Sequence, residues 1–140
     1  MNILGSNSRV RHILFNIFLI LPGVFFLYTG YQWLVSPEAA ASALMMPLLN
    51  GAALSSQMGD IGGLSLGMGL VVMGAVVTRK GDWLIPLSII LACIGIYRLL
   101  AFSLHDASLA LEFVIVEIVL SVWLGLASQI LSVKESTNAS

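Results

Sequence analysis

Residues that carry chemistry are scarce in this chain: among 140 positions there are one cysteine, two histidines, six basic and seven acidic residues. The lone Cys93 excludes, within one chain, a disulfide framework, a CxxC redox centre and a thiolate metal cluster. It reads as filler among apolar neighbours, as free cysteines commonly are. His12 and His105 form no pair at ligand spacing for haem or zinc, HExxH is absent, and no glycine loop carries a phosphate-binding lysine. No metal and no cofactor are therefore expected. A net charge of −1 without a basic run leaves no electrostatic footprint for nucleic acid. An acid-base hydrolase drawing on Glu117, Asp60 and His105 would lack an obvious nucleophile, so the chain does not read as an enzyme.

What it has in abundance is apolar surface. Hydrophobic residues make up 59% and charged residues 9%, and the mean hydropathy is +1.01. A soluble domain of this size has no use for that much. The length suits one domain, 1–140, and divides into four helices of bilayer length. The expected spans are 12–35, 57–78, 83–104 and 110–133, giving an all-α integral membrane protein built as a four-transmembrane-helix up-down bundle. Arg9, Arg11, Arg79, Lys80 and Lys134, five of the six basic residues, then share one side of the membrane. The positive-inside rule places that side, with both termini, in the cytoplasm of a bacterial inner membrane. Tyr28, Tyr31 and Trp33 form an aromatic belt at the far end of the first span, which is too long for a signal-peptide core and reads as a retained signal anchor. Pro22 with Gly23 predicts a kink there. The outer connector, 36–56, is opened by Pro37 and carries Leu44, Met45, Met46, Leu48 and Leu49, too apolar for a freely solvated loop. It is expected to lie on the membrane surface or over the mouth of the bundle. Residues 134–140 read as a short disordered tail.

The second span is rich in small residues. Gly59, Gly63 and Gly67 are spaced four apart, Gly62 and Gly69 seven apart, and Ser65 precedes Gly69 by four. In lipid, small-xxx-small spacing lets helix backbones approach closely, so all five glycines are candidates for helix packing and this helix is expected at the centre of the bundle.

Arg98 is the most informative residue. It lies two-thirds of the way along an otherwise uncharged apolar segment, where an ionisable group costs several kcal/mol unless it reaches a partner, water or the interface. Glu117, about two turns inward on the fourth span, is the preferred mate, with Asp60 second. Glu112 lies nearer the surface and about 140° from Glu117 around the helix, so both cannot point squarely at one partner. The planar, five-donor guanidinium suits bridging two carboxylates, or one carboxylate and a bound group. Arg98, Glu117, Asp60 and Glu112 are thus the candidate binding and charge cluster.

On Tyr31, Pro37, the run Asp60, Gly62, Gly63, Gly67, Gly69, then Arg98 and Glu117, the chain resembles the bacterial membrane proteins grouped as domain of unknown function 4345, over about residues 12 to 130. The resemblance implies a small four-helix inner-membrane protein and assigns no substrate. The expected function is a binding or accessory module whose outward-facing polar pocket holds a lipid-like or small amphiphilic molecule, or a partner membrane protein. The alternatives are a small proton-coupled transporter and a purely structural subunit of a membrane complex. Expected partners are membrane lipid, an amphiphilic small molecule, and a partner membrane protein or further copies of the chain.

Overall fold

The computed structural model describes the backbone from Ile3 to Ala139 and the side chains of residues 13–132. The described residues are helical with short connections and no strand. The elements are α1 (Ile3–Val35), α2 (Pro37–Ala43), α3 (Gly51–Thr78), a 3-10 turn (Gly81–Trp83) leading into α4 (Leu84–His105), and α5 (Leu111–Ala139). Among the described residues, four helices are long and apolar enough to cross a membrane, over Ile13–Val35, Gly51–Thr78, Gly81–His105 and Leu111–Ser132. Between 22% and 33% of each apolar window is buried within the chain, so most of the apolar surface faces outward. That distribution fits lipid as the surrounding solvent and defines a multi-pass, all-α membrane protein.

The helices outrun the apolar stretches that reveal them. α1 begins at Ile3, ahead of the expected 12, and α5 continues to Ala139, through the segment read as a disordered tail. Hydropathy marks the thickness of the bilayer core, whereas a helix continues into polar surroundings until something stops it. α3 begins at Gly51, six residues before the expected 57, after a chain reversal in which Gly51 itself takes φ +59°. α4 stops where Asp106 adopts φ +52°, a left-handed cap that acidic and amide side chains tolerate better than branched ones.

The chain forms two compact units, residues 1–73 and 74–140. In the first, α1 and most of α3 run antiparallel, and two glycines on each helix pack against residues of the other. A Cβ on Gly23 would meet Val72 and Met73, one on Gly30 would meet Leu66, one on Gly69 would meet Leu27, and one on Gly62 would lie 2.6 Å from Trp33 Cβ. The packing therefore uses the seven-spaced glycines, two turns apart on one face of each helix. Gly59, Gly63 and Gly67, expected to pack through their four-residue spacing, have nothing within 4 Å of a Cβ. They form a separate, exposed stripe one residue's rotation away.

Residues Met58–Gly63 of α3 form a π-helical turn, which widens the helix by one residue in a segment containing three glycines. Against it, Trp33, 1% exposed, packs with Ala40 and Ala41 of α2 and with Leu44, Met46, Leu48, Met58 and Ile61. Buried Gln57 ties the connector down. Its Oε1 accepts from the Leu49 N–H (3.0 Å), and its Nε2 donates to the Pro47 carbonyl (3.1 Å) and Met46 Sδ (3.1 Å). The apolar residues of the connector are thus packed within this unit by one amide side chain and one tryptophan.

Hydroxyls within the spans are satisfied locally, as an apolar solvent requires. Thr29, Thr78 and Ser103 each donate to the carbonyl four residues back, Phe25, Gly74 and Leu99 respectively.

Candidate functional site

The second unit is built on an antiparallel α4–α5 hairpin with a heptad-like seam. Leu84, Leu87, Leu91 and Gly95 are the buried positions of α4, and Val114, Ser121, Leu124, Ala127, Ser128 and Leu131 those of α5. On α5 the spacing of 114, 121, 124, 128 and 131 alternates between three and four once position 117 is filled in. On α4 the same period carries 84, 91 and 95 on to 98. Arg98 and Glu117 therefore occupy core positions of the seam, where the repeat would otherwise place leucine.

Two features set the register that brings them together. At the end remote from the charges, Gly81 lies so close against the Ser128 carbonyl that no side chain would fit. In the middle, Ser88 and Ser121 exchange hydrogen bonds: each hydroxyl donates to the other residue's carbonyl at 2.8 Å. Near the charges, Gly95 faces Glu117, and a Cβ there would stand 3.6 Å from Oε2, an ordinary contact distance. A reciprocal serine pair is a directional contact that a one-residue slip would break, and in lipid such contacts are each worth about 0.6 kcal/mol.

In that register Arg98 Nε donates to Glu117 Oε1 at 2.8 Å. The guanidinium carbon lies 5.0 Å from the centroid of the Phe113 ring, a cation-π contact from the residue one turn before Glu117. At a rise of 1.5 Å per residue, Arg98 stands roughly 10 Å inside the end of α4 and Glu117 roughly 9 Å inside the start of α5, the shared depth that the sequence implies. The two partners differ in their access to the surroundings. The Arg98 side chain is 34% exposed and that of Glu117 12%, and Glu117 Oε2 is buried without a hydrogen-bond partner. The pairing is one-pronged: it engages one of the five N–H donors, and the remaining four belong to the terminal amino groups.

Beside the pair, Cys93, Ile94, Tyr97, Arg98 and Ala101 line an open groove of about 520 Å³ on one side of α4. Its wall is almost wholly apolar, so Arg98 lines it through the carbon stem and its guanidinium contributes almost nothing. Cys93 is exposed in this groove rather than buried in a core.

Glu112 is exposed in the first turn of α5, off the seam. Asp60 is exposed in the π-helical turn of the first unit. The second unit completes its ion pair from Arg98 and Glu117 alone. Among the described residues no group of three or more His, Cys, Asp or Glu is placed to hold a metal ion. Phe113, Ser88, Gly95 and Gln57 were not anticipated from the sequence. The three-and-four spacing of α5 through Glu117 is the signal that would have disclosed the seam, and the seven-residue spacing of Gly23 and Gly30 the one that would have disclosed the α1 face.

Fold and site together define a small multi-pass helical membrane protein with an ion pair held within the apolar zone beside an open groove. Comparison of the chain with protein-family models, with curated proteins and with solved structures yields no match.

Proposed function

We propose that this protein is a binding or accessory module of a bacterial inner membrane, both termini cytoplasmic, that holds the polar part of a lipid-like or small amphiphilic molecule at Arg98. The observation that carries this reading is the half-used guanidinium. Arg98 is anchored to Glu117 through Nε alone while its side chain stays 34% exposed in an apolar groove. A pair serving only to lock two helices together gains most from two-pronged geometry. Here the side chain is left partly exposed beside the groove where an amphiphile would lie. The resemblance to the domain-of-unknown-function family supports the same outline of a small four-helix inner-membrane protein.

The test is mass spectrometry of molecules co-purifying with the wild type in native-lipid discs, beside Arg98→Gln prepared identically. A specific molecule held by the wild type and lost from a folded mutant supports the site. Equal retention by both, or loss of a partner chain instead of a small molecule, rejects it.

A second reading, a structural subunit that pairs with another membrane protein or with its own copies, is favoured by the open stripe of Gly59, Gly63 and Gly67. A proton-coupled transporter finds less support, because the cytoplasmic halves of the four spans carry no ionisable residue beyond Asp82 at the very end of the third.

A further inference from the structure

A single hydrogen bond fixes a distance and leaves a plane free to turn. Arg98 Nε donates to Glu117 Oε1 at 2.8 Å, and rotation about that N–H···O line would carry the rest of the guanidinium round without lengthening the bond. Two parallel bonds to one carboxylate would remove that freedom, but Glu117 Oε2 has no hydrogen-bond partner, so the second prong is missing. The Arg98 side chain is also 34% exposed and roughly 10 Å from the outer end of α4, where a long stem can bend toward the interface and its water. Glu117 alone therefore fixes neither the plane of the guanidinium nor its depth.

Phe113 offers a second point of attachment. The guanidinium carbon lies over its ring, 5.0 Å from the centroid. Phe113 precedes Glu117 by one helical turn, so α5 holds Arg98 from two positions about 6 Å apart along its axis, the carboxylate through Nε and the ring across the guanidinium. The backbone that carries the ring is anchored: the N–H groups of Phe113 and Val114 both donate to the Ala110 carbonyl, at 3.1 and 3.2 Å, and Val114 is buried in the seam. The negative face of an aromatic ring attracts a cation most strongly where water does not compete. We infer that Phe113 is the positioning residue of the Arg98 site: its ring face fixes the plane of the guanidinium beside Glu117, keeps the charge within the apolar zone, and so sets the direction in which the terminal N–H groups are presented. The purpose of that presentation rests on the binding reading above, whereas the positioning itself does not.

The test removes the attraction and keeps the shape. Pentafluorophenylalanine is placed at position 113 of the full chain by nonsense suppression, which inverts the ring quadrupole with little change of size. With nitrogen-labelled arginine, exchange of the Arg98 Nε–H with water is followed by NMR in bicelles, the signal being assigned by its absence from Arg98→Gln. The expected result is exchange at least about fivefold faster than in the wild type, with Phe113→Tyr, which keeps the ring face, within about twofold of it. Unchanged exchange in the pentafluoro protein, or equal acceleration by Phe113→Tyr, overturns the inference and leaves the ring as packing only. Should the pentafluoro protein fail to fold, singly and triply fluorinated rings decide by the same trend. The binding reading fails separately, when Arg98→Gln retains every molecule that co-purifies with the wild type, a result that leaves the exchange rates untouched.

Discussion

Replacing Arg98 and Glu117 by methionine, singly and together, should expose an asymmetry that follows from their burial. In Arg98→Met the Glu117 carboxylate, 12% exposed with Oε2 already unpartnered, loses its one charged donor and is stranded in the apolar zone. Removal of one member of a buried pair costs about 3–5 kcal/mol. Because the site is not fully closed, we place this variant at the lower end, about 3 kcal/mol. In Glu117→Met the surviving guanidinium starts 34% exposed and keeps the Phe113 face, and its long side chain can reach toward the interface, so the loss should be about 1–2 kcal/mol. The double variant strands no charge and restores an apolar seam, so it should unfold within about 1 kcal/mol of the wild type. The assay is reversible unfolding in bicelles, read as a double-mutant cycle. If Glu117→Met proved the costlier single variant, or if the two losses simply added, the account of a buried acid sheltered by a half-exposed base would be wrong.

The two classes of glycine on α3 should separate cleanly. Gly62→Ala, whose Cβ would meet Trp33 at 2.6 Å, should destabilise by about 1–3 kcal/mol, while Gly67→Ala, with open space, should be neutral or gain about 0.5–1 kcal/mol in the same unfolding assay. Gln57→Leu removes three hydrogen bonds to the connector and should raise its protease sensitivity between 44 and 50, with a local cost of about 1–3 kcal/mol. Ser88→Ala with Ser121→Ala should lose about 1 kcal/mol in all, and it should weaken ligand retention at Arg98 if the serine pair sets the register of the site. For orientation, Ala107→Cys should label with an impermeant maleimide from outside intact cells, and Lys80→Cys only after the membrane is opened. Both belong in a Cys93→Ala background, and the reverse pattern would invert the topology.

Composition and hydropathy by themselves determined the solvent and the element type. A chain with 59% hydrophobic and 9% charged residues has to satisfy its backbone inside lipid, which leaves helices of bilayer length, and four such helices are found close to the expected positions. The depth of Arg98 and its preference for Glu117 were also legible, because counting residues from a span end converts directly into distance along a helix. Helix termini were not, since α1 and α5 extend past the apolar stretches that marked them. Which glycines pack was decided only in three dimensions. Spacings of four and seven both put small residues on one face, and only the meeting of Gly62 with Trp33 and of Gly69 with Leu27 selects the second set. The same holds for the connector, whose anchoring depends on Gln57 reaching across from α3 to a turn ten residues earlier in the chain. It holds as well for the atom that Arg98 uses, since Nε rather than a terminal amine meets Glu117. Residue type and spacing fix what a side chain can do, whereas which of its atoms are used and which are left open depends on the register of two helices, set here by a pair of serines and a few close-packed glycines.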